Sequence, residues 1–245
     1  MRASAAIGPK RTDDWRIGLR GSIRRTAVRG QLCMTPVFYS FRRCPYAMRA
    51  RVALLASGCR VVLREIVLRD KPAAFLAASP SATVPCLLTA DGIIDESLDI
   101  MRWALAQNDP YGWLEMPAAG IGWIARADGP FKHALDRTKY ASRYPDEDPD
   151  IHRAAACAFL QDLNSALDPW LFGVPTLADM AILPFVRQFA FIDKCWFDAQ
   201  PWPKVQAWLE AYLASDDAAV IMEKYPPWQP GDRDVIFPDP ARKAQ

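Results

Sequence analysis

Cys44 is the residue of this sequence best placed for chemistry. It lies in Arg43-Cys44-Pro45-Tyr46-Ala47, between the apolar run Val37-Phe38-Tyr39-Ser40-Phe41 and a helical pattern from Pro45 to about Ser57. A cysteine at such a junction sits at a helix N-terminus, where free N–H groups and partial positive charge favour thiolate over thiol. Arg42 and Arg43 add positive charge beside it. A free cysteine has a pKa of about 8.5, and surroundings of this kind lower it to roughly 3.5–7.5. The sequence therefore predicts a depressed thiol pKa and a nucleophilic Cys44.

The elements that must position Cys44 read out in order. Val37 and its neighbours are β-branched or aromatic and predict a buried strand from Thr35 to about Phe41. Pro45 and Gly58 bracket the next helix, as proline suits the first helical position and glycine the one past the last. Met48, Val52, Leu55 and Ala56 fall on one face, with Arg49 expected to reach solvent. Val61–Val67 predicts a second strand, parallel to the first through a right-handed βαβ unit. Lys71-Pro72 opens a short helix to about Ala78, and a loop leads to Val84-Pro85 and the strand Cys86-Leu87-Leu88. Asp91-Gly92 signals a hairpin into Ile93-Ile94, after which Asp95-Glu96-Ser97 starts a helix carrying Leu98, Met101, Trp103 and Leu105.

Beyond the turn residues Asn108-Asp109-Pro110-Tyr111-Gly112 the pattern turns helical, near Gly122–Tyr140, Asp150–Leu167, Leu177–Ile192 and Pro201–Ala214. Thr176-Leu177-Ala178-Asp179 reads as a capping box with Asp179 in place of the usual Glu or Gln. The expected organisation is a basic, disordered extension over 1–33, an α/β domain over 34–107 and a linker over 108–116. An all-helical domain over 117–228 and an irregular tail over 229–245 complete it.

Composition narrows the functional classes. The 245 residues are 51% hydrophobic and 24% charged, which suits an ordinary globular protein. No apolar stretch is long enough to predict a membrane span. The six cysteines, Cys33, Cys44, Cys59, Cys86, Cys157 and Cys195, form no C-x-x-C pair, so neither a zinc site nor a disulfide framework is predicted. With only His133 and His152 as histidines, no metal cofactor is expected. Cys86 and Cys157 are expected in the core, and a reducing compartment, the cytoplasm, fits this cysteine usage. The formal charge of +2 is uneven: residues 1–33 hold eight basic side chains against Asp13 and Asp14, and the remainder is mildly acidic. That body has no nucleic-acid footprint. Three readings of the basic extension stay open: a targeting peptide, a tail for anionic surfaces, or an over-extended start preceding Met34.

The order of elements and five sequence pieces resemble the glutathione transferase superfamily: a thioredoxin-like N-terminal domain followed by an all-α C-terminal domain. The pieces are Arg43-Cys44-Pro45-Tyr46, Asp70-Lys71-Pro72, Thr83-Val84-Pro85, Asp95-Glu96-Ser97 and the Thr176–Asp179 capping box, and the likeness spans roughly Thr35 to Trp228. A cysteine at the first strand–helix junction is similar to the Cys-type branch, omega-like and glutaredoxin-like, whose members form mixed disulfides with glutathione. Ala47 stands where glutaredoxins often carry a second cysteine, which implies monothiol chemistry.

The resemblance further implies glutathione as cosubstrate and roles for named residues. Cys44 would be catalytic. Pro85 would follow a cis bond, turning the Val84 backbone toward the cysteinyl part of glutathione. Lys71 would face the glycyl carboxylate, while Glu96 and Ser97 would hold the γ-glutamyl end, Ser97 from a helix start that suits a carboxylate. Phe41, Tyr46, Trp123 and Tyr140 would border the acceptor pocket, with His133 also able to reach it, and Asp179 would be structural. Homodimers are usual in the family. Two alternatives to thiol transfer remain: conjugation or isomerisation of a small electrophile by glutathione, and a non-enzymatic binding or regulatory module.

Overall fold

A strand, a helix and a second strand open the described part of the chain, which in this computed structural model comprises residues 34–239. The extension 1–33 and the last residues of the tail lie outside it. Strand β1 (Val37–Ser40) leads through the Cys44 junction into α1 (Pro45–Ser57), which Gly58 ends in the left-handed conformation (φ 72°). Strand β2 (Val61–Glu65) returns parallel to β1, with Val37 beside Val62. Helix α2 (Ala73–Ala78) and the loop after it precede β3 (Cys86–Thr89), antiparallel to β1, and β4 (Gly92–Ile94), its hairpin partner. Gly92 has a φ of 138°, open to glycine and strained for other residues, which fixes this turn. Helix α3 (Ser97–Gln107) closes the α/β half.

Two sequence expectations change here. Helix α1 lacks an amphipathic stripe because it is buried all round apart from Tyr46. Its neighbours are α3 and, from the C-terminal half, α7 and α10. Arg49, expected at solvent, is only 1% exposed, since the helical half covers the face it occupies. The tail is also not wholly irregular: Val235–Phe237 forms β5, antiparallel to β2. Its three residues are β-branched or aromatic, a signal obscured by the prolines around it, and Phe237 is fully buried. The sheet order is β4-β3-β1-β2-β5, so the last strand covers an edge that β2 would otherwise expose.

The C-terminal half is helical. Helices α4 (Ala119–Arg126) and α5 (Lys132–Lys139) are joined without a break by a π-helical turn, Ala127–Phe131. Pro130 within that turn has no N–H to give the i→i−4 ladder, and the wider π turn accommodates it. Helix α6 (Pro149–Ala166) starts at Asp148, whose side chain accepts from the Asp150 N–H. Helix α7 (Leu177–Ala190) starts at the Thr176–Asp179 capping box. Helices α8 (Lys194–Asp198), α9 (Pro203–Leu213) and α10 (Asp216–Ile221) follow.

One apolar cluster joins both halves, from Phe38, Leu54 and Ile100 to Phe131, Leu160 and Phe185. A smaller one, with Tyr39, Ile66, Phe75, Val84 and Cys86, lies under the loops that surround Cys44. The chain from Met34 onward thus forms one compact unit, and even the expected linker contributes a buried Trp113, stacked on Tyr111. The architecture is a thioredoxin-like mixed sheet followed by an all-helical half. Among the described residues no helix is long and apolar enough to cross a membrane.

Candidate functional site

Cys44 is the N-cap residue of α1, with extended backbone (φ −79°, ψ 122°). Its half-buried Sγ faces the carbonyl of Val84 at 3.7 Å. The Val84–Pro85 bond is cis. Burial pushes the Cys44 thiol up, while the N–H groups of Ala47 and Tyr46 and the charges of Lys132 and Arg49 pull it down. The net direction is upward, which corrects the expected depressed value: desolvation of a thiolate outweighs the helix N-terminus here. The two neighbouring arginines turn to other partners. Arg42 Nη1 donates to the Met222 carbonyl at 3.3 Å, and the Arg43 guanidinium lies over the Phe41 ring at 5.5 Å.

The cations that act on Cys44 are Lys132, which the sequence reading left aside, and Arg49, which it expected at solvent. Lys132, on α5, places its Nζ 5.6 Å from the centre of the Tyr46 ring and pairs with Asp136 one turn on. Arg49 is a buried hub. Its Nε donates to the Ala181 carbonyl at 2.6 Å, and both terminal nitrogens bond the Asp128 carboxylate in the π turn. Its Nη1 also reaches Ser97 Oγ at 3.5 Å, and its guanidinium lies 4.3 Å from the centre of the Phe185 ring. Arg49 therefore joins α1, the start of α3, the π turn and α7. Two arginines, Arg49 and Arg51, within an otherwise largely apolar helix, and a proline within a long helical pattern, were the available signals for Arg49 and Asp128.

Of the residues expected to hold glutathione, Ser97 meets this hub and Val84 faces Cys44. Val84 is buried, and Lys71 Nζ donates to the Ala82 carbonyl at 3.0 Å, two residues before it. The loop between is held by Ser81 and Thr83, whose hydroxyls lie 2.6 Å apart. Ser97 is buried in the first turn of α3, and Glu96, its N-cap residue, is exposed. Tyr46 stands edge-on to Phe185 at 4.9 Å, and burial first, then the Asp128 charge, push its hydroxyl up to about 12. Phe41 flanks the same small apolar cluster as Cys44.

The other pocket candidates have neighbours elsewhere. Trp123 is edge-on to Phe159 at 5.9 Å beneath the Arg126 guanidinium. Tyr140 lies under Arg143 at 4.5 Å, and His133 faces Arg137 and His152. Cys86 is buried as expected, Cys157 only partly so. Asp179 is fully buried and accepts from the Leu171 N–H and from the N–H and hydroxyl of Thr176, a structural role.

Known proteins of this shape place the arrangement in context. Residues 38–112 match the family model for the glutathione S-transferase N-terminal domain, and residues 150–211 that for the glutathione S-transferase C-terminal domain. A probable glutathione transferase of Aplysia californica is 40% identical over 57 residues, 23% of this chain; the match spans 62% of that relative's length. Among solved structures, glutathione transferase Omega 3C from Trametes versicolor superposes with a TM-score of 0.66 at 17% identity, over 79% of this chain and 90% of that one. A glutathione transferase family member from Pseudomonas fluorescens, solved with two glutathione bound, gives 0.66 at 20% identity, over 79% and 95%. The two family models together span more than half of the residues and fall on the two halves in the family's order: the chain belongs to the glutathione transferase superfamily.

Proposed function

We propose that the protein is a glutathione-dependent thiol transferase or reductase of the Cys type, akin to the omega-like and glutaredoxin-like transferases, with Cys44 as its nucleophile. The observation that carries this reading is the position of Cys44 Sγ, at the start of α1 and opposite the backbone of Val84 before the cis bond. In this reading the Val84 N–H and C=O pair with the cysteinyl backbone of glutathione, which brings the two sulfurs together. Lys71 faces the glycyl carboxylate; its ammonium has three donors, of which Ala82 takes one. Ser97 and the N–H groups of the α3 start hold the γ-glutamyl carboxylate, and exposed Glu96 pairs with the ammonium group.

Two exchanges complete the cycle. The Cys44 thiolate attacks the glutathione sulfur of a mixed disulfide, forming Cys44–S–S–glutathione and releasing the substrate as a thiolate that takes up a proton. A second glutathione thiolate then attacks that glutathione sulfur, leaving glutathione disulfide and the Cys44 thiolate. With Ala47 in place of a second cysteine, glutathione itself resolves the intermediate. A reducing compartment such as the cytoplasm supplies it, and the cysteines among the described residues are free. Turnover of a glutathionylated substrate by Cys44→Ala tests the proposal. It is expected to fall to background, and undiminished turnover would remove Cys44 from the mechanism.

One observation favours a second reading, conjugation or isomerisation with glutathione as the nucleophile. Burial holds Cys44 toward the neutral thiol, a donor that could face a bound glutathione sulfur. In that case Cys44→Ser preserves or raises conjugation of a small electrophile while thiol transfer stays absent.

A further inference from the structure

His133 and His152 come from different elements, yet the fold places them together. His133 lies on α5, His152 in the first turns of α6, and Glu147 on the loop between. The two imidazole rings stand edge-to-face with centroids 5.8 Å apart. His152 Nε2 lies 2.5 Å from Glu147 Oε2. One ligand atom from each of the three residues falls within 4.8 Å of the other two. Tetrahedral zinc holds nitrogen and oxygen ligands at about 2.0–2.2 Å, which sets them roughly 3.3 Å apart, so small side-chain rotations bring this set into that geometry.

We propose that His133, Glu147 and His152 form a surface binding site for a divalent ion of zinc type, clasping the 140–148 loop to α5 and α6. Two imidazoles and one carboxylate suit zinc and the neighbouring late transition metals, whereas magnesium and calcium take oxygen sets. Three protein ligands leave the fourth position of a tetrahedral ion to water. Arg137 is the cation that holds the ligands meanwhile. Its Nε donates to Glu147 Oε2 at 2.6 Å and its Nη1 lies 3.1 Å from His133 Nδ1. A guanidinium only donates, so His133 Nδ1 presents its lone pair there, as a metal ligand must. Metal entry displaces Arg137 from both ligands, since a guanidinium and a cation cannot share the same lone pairs. Counting two histidines predicted no metal; the fold supplies the third ligand from a carboxylate distant in type but near in space.

The test is equilibrium uptake of Zn2+ by the full chain, with Co2+ as a spectroscopic probe, in a Cys44→Ser background so that the reactive thiol takes no metal. One equivalent is expected, with visible Co2+ bands and no thiolate charge-transfer band. His133→Gln and His152→Gln should each weaken uptake by more than roughly tenfold, since even outer partners of a metal ligand are worth that much. Glu147→Gln, nearly isosteric and at the surface, repeats the test without risk to the fold. Arg137→Gln should tighten binding by removing the competing charge. No uptake, uptake unchanged in the histidine variants, a Co2+ spectrum of thiolate character, or loss of uptake in Arg137→Gln would each overturn the proposal. None of these outcomes bears on glutathione chemistry at Cys44.

Discussion

Replacement of Arg49 by methionine removes the charge that ties the two halves together at the site. The side chain is 1% exposed and bonds the Ala181 carbonyl and both Asp128 oxygens. Methionine fills similar volume but leaves the Asp128 carboxylate without its cation. Breaking a buried pair by removing one partner costs about 3–5 kcal/mol. Asp128 is 33% exposed and turns partly to water, which places the expected loss at the lower end, about 3 kcal/mol. For a chain of this size each kcal/mol lowers Tm by roughly 2–4 °C, so a fall of about 6–12 °C is expected by calorimetry. The companion variant Asp128→Asn removes the stranded charge. In the pair Arg49→Met/Asp128→Asn the loss should be smaller than the sum of the single losses, with a coupling of about 1–3 kcal/mol. Arg49 also reaches Ser97, so KM for glutathione should rise in Arg49→Met under the proposed binding mode. A Tm within 2 °C of the parent, or strictly additive single losses, would refute the hub.

Three further outcomes follow from the electrostatics and the caps. Burial holds the Cys44 thiol above the ordinary cysteine value of about 8.5, so its alkylation by iodoacetamide, followed by mass spectrometry, should keep rising with pH through and beyond that value. Lys132→Met removes a charge that lowers the pKa and should slow alkylation at any pH below it; a plateau below pH 8 would contradict the burial argument. Asp179→Ala leaves the Leu171 and Thr176 N–H groups buried and unpartnered, at about 1–3 kcal/mol each, and urea unfolding should report a loss near 3 kcal/mol.

Local signals carried most of the fold. Pro45, Gly58 and the Asp91-Gly92 turn set boundaries through backbone preferences that act over a few residues, and the structure follows them closely. The expectation that Val84 would precede a cis bond came from the family resemblance and not from any local signal. The missing information was long-range. Arg49 appears solvent-facing on a helical wheel, and only the packing of α7 and the π turn over α1 makes it buried. The direction of the Cys44 shift depends on how much water the surrounding loops exclude, a quantity that no spacing encodes. The neighbourhood of His133, Glu147 and His152 likewise depends on how α5 and α6 cross.

Strand β5 bears on how the chain is made. Val235 sits beside Leu63 in the sheet, although the whole helical half separates them in sequence. During synthesis the α/β half emerges first but cannot complete its sheet until the helical half has left the ribosome. The β2 edge stays open during that interval, as a template for pairing with other chains. Such distant pairing also raises contact order, which slows folding. The last strand therefore acts as a late latch: conditions or chaperones that protect the nascent α/β half should govern yield more strongly than the stability of the finished protein.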